Sequence, residues 1–114
     1  MKEKKESIEF YPRNRQAGRN WLQKNHATKQ SVWLIMYKKS SGKPTILYNE
    51  VVEEALCFGW IDSVPRKRDA ESSFLYISVR KAKSGWSALN KKRIEKLIQE
   101  SKMMPSGLQK IDAA

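Results

Sequence analysis

Cysteine and histidine are nearly absent from this chain: Cys57 and His26 are the sole examples in 114 residues. A lone thiol excludes an intrachain disulfide, and nothing points to an oxidising compartment. One histidine and one thiol in no ligand-like spacing offer no basis for a transition-metal centre, so neither a metal nor a cofactor is expected. A Ser/His/Asp triad would have to use His26, which no motif ties to a serine. Cys57 falls near the carboxyl end of an amphipathic stretch among apolar neighbours, and both features disfavour the thiolate, so it reads as a core cysteine. Long apolar runs are missing too. The longest, Val32 to Tyr37, is far too short to cross a bilayer, and no apolar segment follows the charged start Met1 to Glu6 as a signal peptide would require. A soluble, cytoplasmic protein is expected.

Acid is the other scarcity. Twelve Asp and Glu face 23 Lys and Arg, a formal charge of +11 that favours anionic partners: nucleic acid, an anionic small molecule or an acidic protein surface. The imbalance is uneven. No basic residue lies between Pro44 and Pro65, where Glu50, Glu53, Glu54 and Asp62 fall, whereas Arg66, Lys67, Arg68 and then Arg80, Lys81, Lys83, Lys91, Lys92 and Arg93 follow. That asymmetry implies a bipolar surface.

The length suits one domain. Residues 1–9 are charged and aperiodic and read as a mobile arm, leaving 10–114 as a single α+β domain. Ala17, Trp21 and Leu22 recur at helical spacing behind Asn14, a good amino-terminal cap, which predicts a helix over 14–25. Ser31 to Lys38 is apolar on both alternating faces, as in a central strand covered on each side. Ser40 to Pro44 reads as loop. Val51, Val52, Ala55 and Leu56 form a helical stripe over 48–58, which Gly59 ends. Trp60 to Val64 and Phe74 to Val79 read as strands of one hairpin, with Pro65 to Ser73 as a long basic loop. Ser84 or Ser87 caps a helix reaching Glu100 with Ile94, Leu97 and Ile98 as its stripe, and a short helix begins at Leu108. The resulting order is α-β-α-β-β-α: a small antiparallel sheet of three or more strands packed against helices.

Candidate chemistry gathers at the helix-to-strand boundary and after the last strand. Trp60, Asp62, Arg80, Lys81, Trp86, Ser87, Asn90 and Arg93 combine polar groups with aromatic neighbours where helix and hairpin should meet, and form a candidate ligand-binding surface. Asn90 stands out because counting back from Ile94 places it on the buried side of its helix, where an amide needs a partner. Asp62 also admits an acid/base role, but a carboxylate beside Trp60 and Ile61 more often pairs with an arginine. The basic glycine loop with Lys38, Lys39, Ser41 and Lys43 is a weaker anion-binding candidate, since it lacks the phosphate-loop pattern. Glu50 and Glu54, one helical turn apart, read as solvated surface. Trp33, Tyr37, Tyr76 and Trp86 could stack bases from a sheet face or nearby helix, although core packing is the preferred reading of all four.

Several separated motifs then carry a likeness: Trp21, Leu22, Asn25 and His26; Trp33 with Tyr37, Lys38, Lys39 and Ser41 to Pro44; Glu54 to Asp62; Arg80, Lys81, Ser84, Trp86, Ser87, Asn90 and Arg93; and Met104, Pro105 and Gly107. In this arrangement the chain resembles the YdeI/OmpD-associated family, also described as bacteriocin-protection proteins. The resemblance implies a small α+β fold akin to the YjbR/CyaY-like group and a role in resistance to antimicrobial peptides, with no catalytic residues to carry over. The expectation is a non-enzymatic ligand-binding or stress-resistance accessory domain. Its rival is a basic nucleic-acid-binding module.

Overall fold

The computed structural model describes residues 8–80 and 87–113, with side chains through residue 109. The elements are β1 (Glu9–Phe10), α1 (Arg15–Asn25), β2 (Ser31–Tyr37), α2 (Tyr48–Cys57), β3 (Trp60–Lys67), β4 (Ser72–Val79), α3 (Ala88–Gln99) and α4 (Pro105–Ala113), with a 3-10 turn at Lys39–Ser41. They make an α+β fold whose four-stranded mixed sheet runs β1-β2-β4-β3. β1 lies parallel to β2, while β2–β4 and β4–β3 are antiparallel.

Local chemistry sets the helix limits. Asn14 accepts the Ala17 N–H at 2.8 Å to start α1, and Ser87 accepts the Asn90 N–H at 3.1 Å to start α3. Glu50 reaches back to the Leu47 N–H at 3.0 Å, so one acidic side chain satisfies an amide at the head of α2. Gly59, at φ 80°, ends that helix in the left-handed region where a Cβ is costly, and the chain turns directly into β3. Gly107 is required for a different reason. A Cβ there would stand 2.3 Å from the Cys57 carbonyl oxygen, so only glycine lets α4 approach the end of α2. Met104 N–H and Ser106 Oγ complete that junction by donating to Cys57 O and Phe58 O at 2.9 and 3.0 Å.

The core lies between one face of the sheet and the helices. Val32, Leu34, Leu75, Ile77 and Trp60 meet Leu22, Val51, Val52, Ala55, Leu56, Ile94 and Leu97 there. Trp21 packs edge-on to Trp60 at 5.9 Å and stacks on Phe10 at 6.0 Å, which ties α1 to both sheet edges. Among the described residues no helix is long and apolar enough to cross a membrane.

Three expectations need correction. Of the arm read over 1–9, residues 1–7 lie outside the described residues, while Glu9 opens β1 and Ile8 O accepts the Trp33 N–H at 2.8 Å. The sheet is therefore mixed rather than purely antiparallel. The hairpin loop is also shorter, because β3 continues past Asp62 through a register shift and pairs Pro65, Arg66 and Lys67 with Leu75, Phe74 and Ser73. Pro65 is tolerated because β3 is an edge strand that needs no second set of amide donors.

Candidate functional site

Alternation along β2 sends Val32 and Leu34 into the core and Trp33, Ile35 and Tyr37 to the opposite face. Register then assembles that face across strands, with Trp33 opposite Tyr76, and Ile35 opposite Phe74, which in turn opposes Arg66. The ring centroids of Trp33 and Tyr76 are 4.6 Å apart and those of Trp33 and Phe74 are 5.8 Å apart. These rings are partly exposed, not buried. The core preference for Trp33, Tyr37 and Tyr76 is thus overturned by topology, since the core lies wholly on the other side of the sheet.

Three rings of this face each have a cation over them. The Arg66 guanidinium lies 4.8 Å from the Trp33 centroid, that of Arg68 5.9 Å from Phe74, and Lys43 Nζ 5.0 Å from Tyr37, against which Tyr11 packs edge-on. Their charges are not equally available. Lys43 pairs with Glu71 at 2.8 Å, and Arg68 pairs with Asp69 and donates to Ser72 Oγ, both at 3.0 Å. Arg66 has no carboxylate partner among the described residues. An exposed guanidinium is therefore laid on an indole and left with its hydrogen-bonding capacity for an incoming group.

The surface expected from sequence divides instead of converging. Trp60 is 1% exposed and belongs to the core, and Arg80 is 5% exposed with its backbone N–H donated to Gly59 O at 2.9 Å. Lys81 and Trp86 lie outside the described residues. Asp62 does reach a partner, the Tyr48 hydroxyl at 2.6 Å, and this hydrogen bond, aided by burial, holds the phenol above its ordinary pKa. Arg93 Nη1 and Nη2 donate to Asn90 Oδ1 at 3.0 Å and to Asn49 Oδ1 at 2.8 Å. The partner required for Asn90 is thus Arg93, and Ser87 serves as the α3 cap. This corner holds one guanidinium between neutral amides with a carboxylate nearby, a modest polar cluster with little net charge.

The basic glycine loop spends its groups internally. Ser41 and Gly42 amides donate to Lys38 and Lys39 carbonyls at 3.0 and 3.2 Å, and Ser41 Oγ donates to Lys38 O and accepts from Lys43 N. Lys38 and Lys39 remain exposed, but no cradle of free amides is formed.

A second ionic cluster was not legible in the sequence. Glu54, expected to be solvated, is 3% exposed and accepts from Arg15 Nε at 2.5 Å and Arg19 Nη1 at 2.8 Å. Arg19 also donates to Lys102 O at 2.9 Å and lies over the Phe58 ring at 5.3 Å. Glu53 pairs with Arg15 Nη2 at 3.0 Å and Lys96 at 3.3 Å. This network binds α1, α2, α3 and the segment before α4 together, which is a structural task. Cys57 beside it is buried, and burial with the nearby Glu54 charge pushes its thiol up to about 11. His26 Nδ1 is engaged by Leu22 O at 2.8 Å and its ring packs on Phe58. Among the described residues no cluster of three or more His, Cys, Asp or Glu could hold a metal.

Fold and open face define a small α+β domain with a one-sided helical layer. The chain belongs to a family described as a domain of unknown function, DUF8412, whose model matches residues 10–110. That match replaces the resemblance to the YdeI/OmpD-associated family, which no relative supports. No curated protein and no solved structure matches the chain.

Proposed function

We propose that this domain binds nucleic acid through the open face of its sheet. The observation that carries the reading is the placement of Trp33, Phe74 and Tyr76 side by side on the face away from the helices, with Arg66 and Arg68 over two of the rings. A cluster of partly exposed rings supplies stacking that every base can use, and cations beside it supply contacts to phosphate. The net charge of +11 adds attraction to any polyanion and speeds encounter. The corner at Arg93 supports recognition of an anion less well, because one guanidinium there stands near Asp62 and its contact with Tyr48.

The test is fluorescence anisotropy of a labelled 12-nucleotide strand titrated with the full chain at about 50 and 200 mM salt. Binding is expected at low salt and weakens steeply at the higher concentration, because each phosphate contact releases condensed counterions. Trp33→Ala is expected to cost about 1–3 kcal/mol of affinity, the usual worth of one stacked base. Absence of binding at the lower salt refutes the proposal.

A further inference from the structure

The open face carries a more specific inference, which rests on the nucleic-acid reading. We infer that its ligand is single-stranded and that one base takes the place of the Arg66 guanidinium on Trp33, freeing Arg66 to grip the adjoining phosphate. The guanidinium is a planar, delocalised cation that packs on an aromatic face much as a base does, and it sits 4.8 Å from the Trp33 centroid. Exchanging it for a base conserves a π contact on the indole while the arginine gains a charge-assisted hydrogen bond to phosphate.

Arg66 is the residue able to make this exchange. It is exposed and has no ion pair among the described residues, whereas Arg68 is tied to Asp69 and Ser72 and Lys43 to Glu71. Arg68 over Phe74 therefore stays as a fixed cation beside the moving one. A duplex cannot use this arrangement, because its base faces are already stacked on one another and only phosphates and groove edges meet the rings. Trp33 and Tyr76, tilted at 46° to each other with centroids 4.6 Å apart, suit the splayed bases of a single strand.

The experiment compares a fluorescein-labelled dT 12-mer with a 12-base-pair duplex, each titrated with the full chain at about 50 and 200 mM salt. The single strand is expected to bind about tenfold or more tightly than the duplex. Trp33→Leu and Tyr76→Leu, checked for folding by circular dichroism, should each weaken the single strand about fivefold or more and leave the duplex unchanged. Arg66→Ala should lower the salt slope for the single strand by about 0.7, the loss of one phosphate contact, and Arg66→Lys should restore it.

Equal affinity for both probes, or equal loss of both in the Trp33 and Tyr76 variants, overturns single-strand recognition while nucleic-acid binding stands. An Arg66→Ala slope equal to wild type overturns the exchange. Binding of neither probe overturns both readings. A dimer in sedimentation velocity that Trp33→Leu dissociates, with neither probe bound, assigns the face to a second copy of this chain and overturns both as well.

Discussion

Replacing Glu54 with alanine separates the two readings of this residue most sharply. A solvated glutamate on a helix changes stability by less than about 0.5 kcal/mol when truncated. In the fold Glu54 is 3% exposed and receives Arg15 Nε at 2.5 Å and Arg19 Nη1 at 2.8 Å. Removing one partner of a fully buried ion pair costs about 3–5 kcal/mol, since the remaining charge is stranded. Here the stranded arginine side chains keep 26% and 22% exposure, and Arg15 retains Glu53 at 3.0 Å, so part of that penalty is relieved by water and by the second acid. The expected loss is therefore about 2–3 kcal/mol, below the range for a fully buried pair. Urea unfolding followed by far-ultraviolet circular dichroism measures it as a lowered midpoint at unchanged slope. A double-mutant cycle with Arg19→Ala should return a coupling above about 1 kcal/mol. A Glu54→Ala variant within about 0.5 kcal/mol of wild type, the scatter of ordinary surface changes, refutes the network.

Two further outcomes follow from the same cluster. Burial works to raise the Glu53 pKa, but hydrogen bonds and charges from Arg15 and Lys96 outweigh it and hold the carboxyl below its ordinary 4.5. A depressed carboxylate stabilises the fold fully above that ordinary value and loses the contribution as pH falls through the folded value, so Glu53→Gln should lose less stability than wild type between about pH 6 and 3. Parallel pH profiles in urea melts refute that linkage. Cys57, buried with its thiol pushed up to about 11, should stay unreactive toward a disulfide reagent at pH 8 until the protein unfolds, and rapid native labelling contradicts the burial.

Elements with strong local signals are legible in the sequence. Asn14 and Ser87 carry cap chemistry in their own side chains, and Gly59 marks the end of α2 because no other residue enters the left-handed region so cheaply. What depends on distant partners is not legible there. Two residues of β1 are too few to show a period, and they become a strand only through pairing with Trp33 and Leu34. Glu54 looks like surface in its own helix, since its arginines stand 35 and 39 positions away in sequence. The apolar β2 reads as covered on both faces because tryptophan and tyrosine count as core residues in any local scale. Recognising the open face requires knowing that the helical layer is one-sided.

The same partition decides which charges the proposed binding face can offer. Arg15, Arg19 and Lys96 share Glu53 and Glu54 within the helical layer, where they hold elements together. Lys43 and Arg68 are likewise matched, at the rim of the sheet, by Glu71 and Asp69. The +11 already deducts those acids, so pairing changes where the excess sits, and of the three cations over rings of this face Arg66 is the one without a carboxylate partner among the described residues. On the proposed reading Arg66 adds one phosphate contact to the sheet face, about 0.7 of the salt slope. A protein whose affinity came from net charge alone would lose the same increment on removal of any exposed lysine or arginine, and Arg66→Ala would then be indistinguishable from Lys39→Ala.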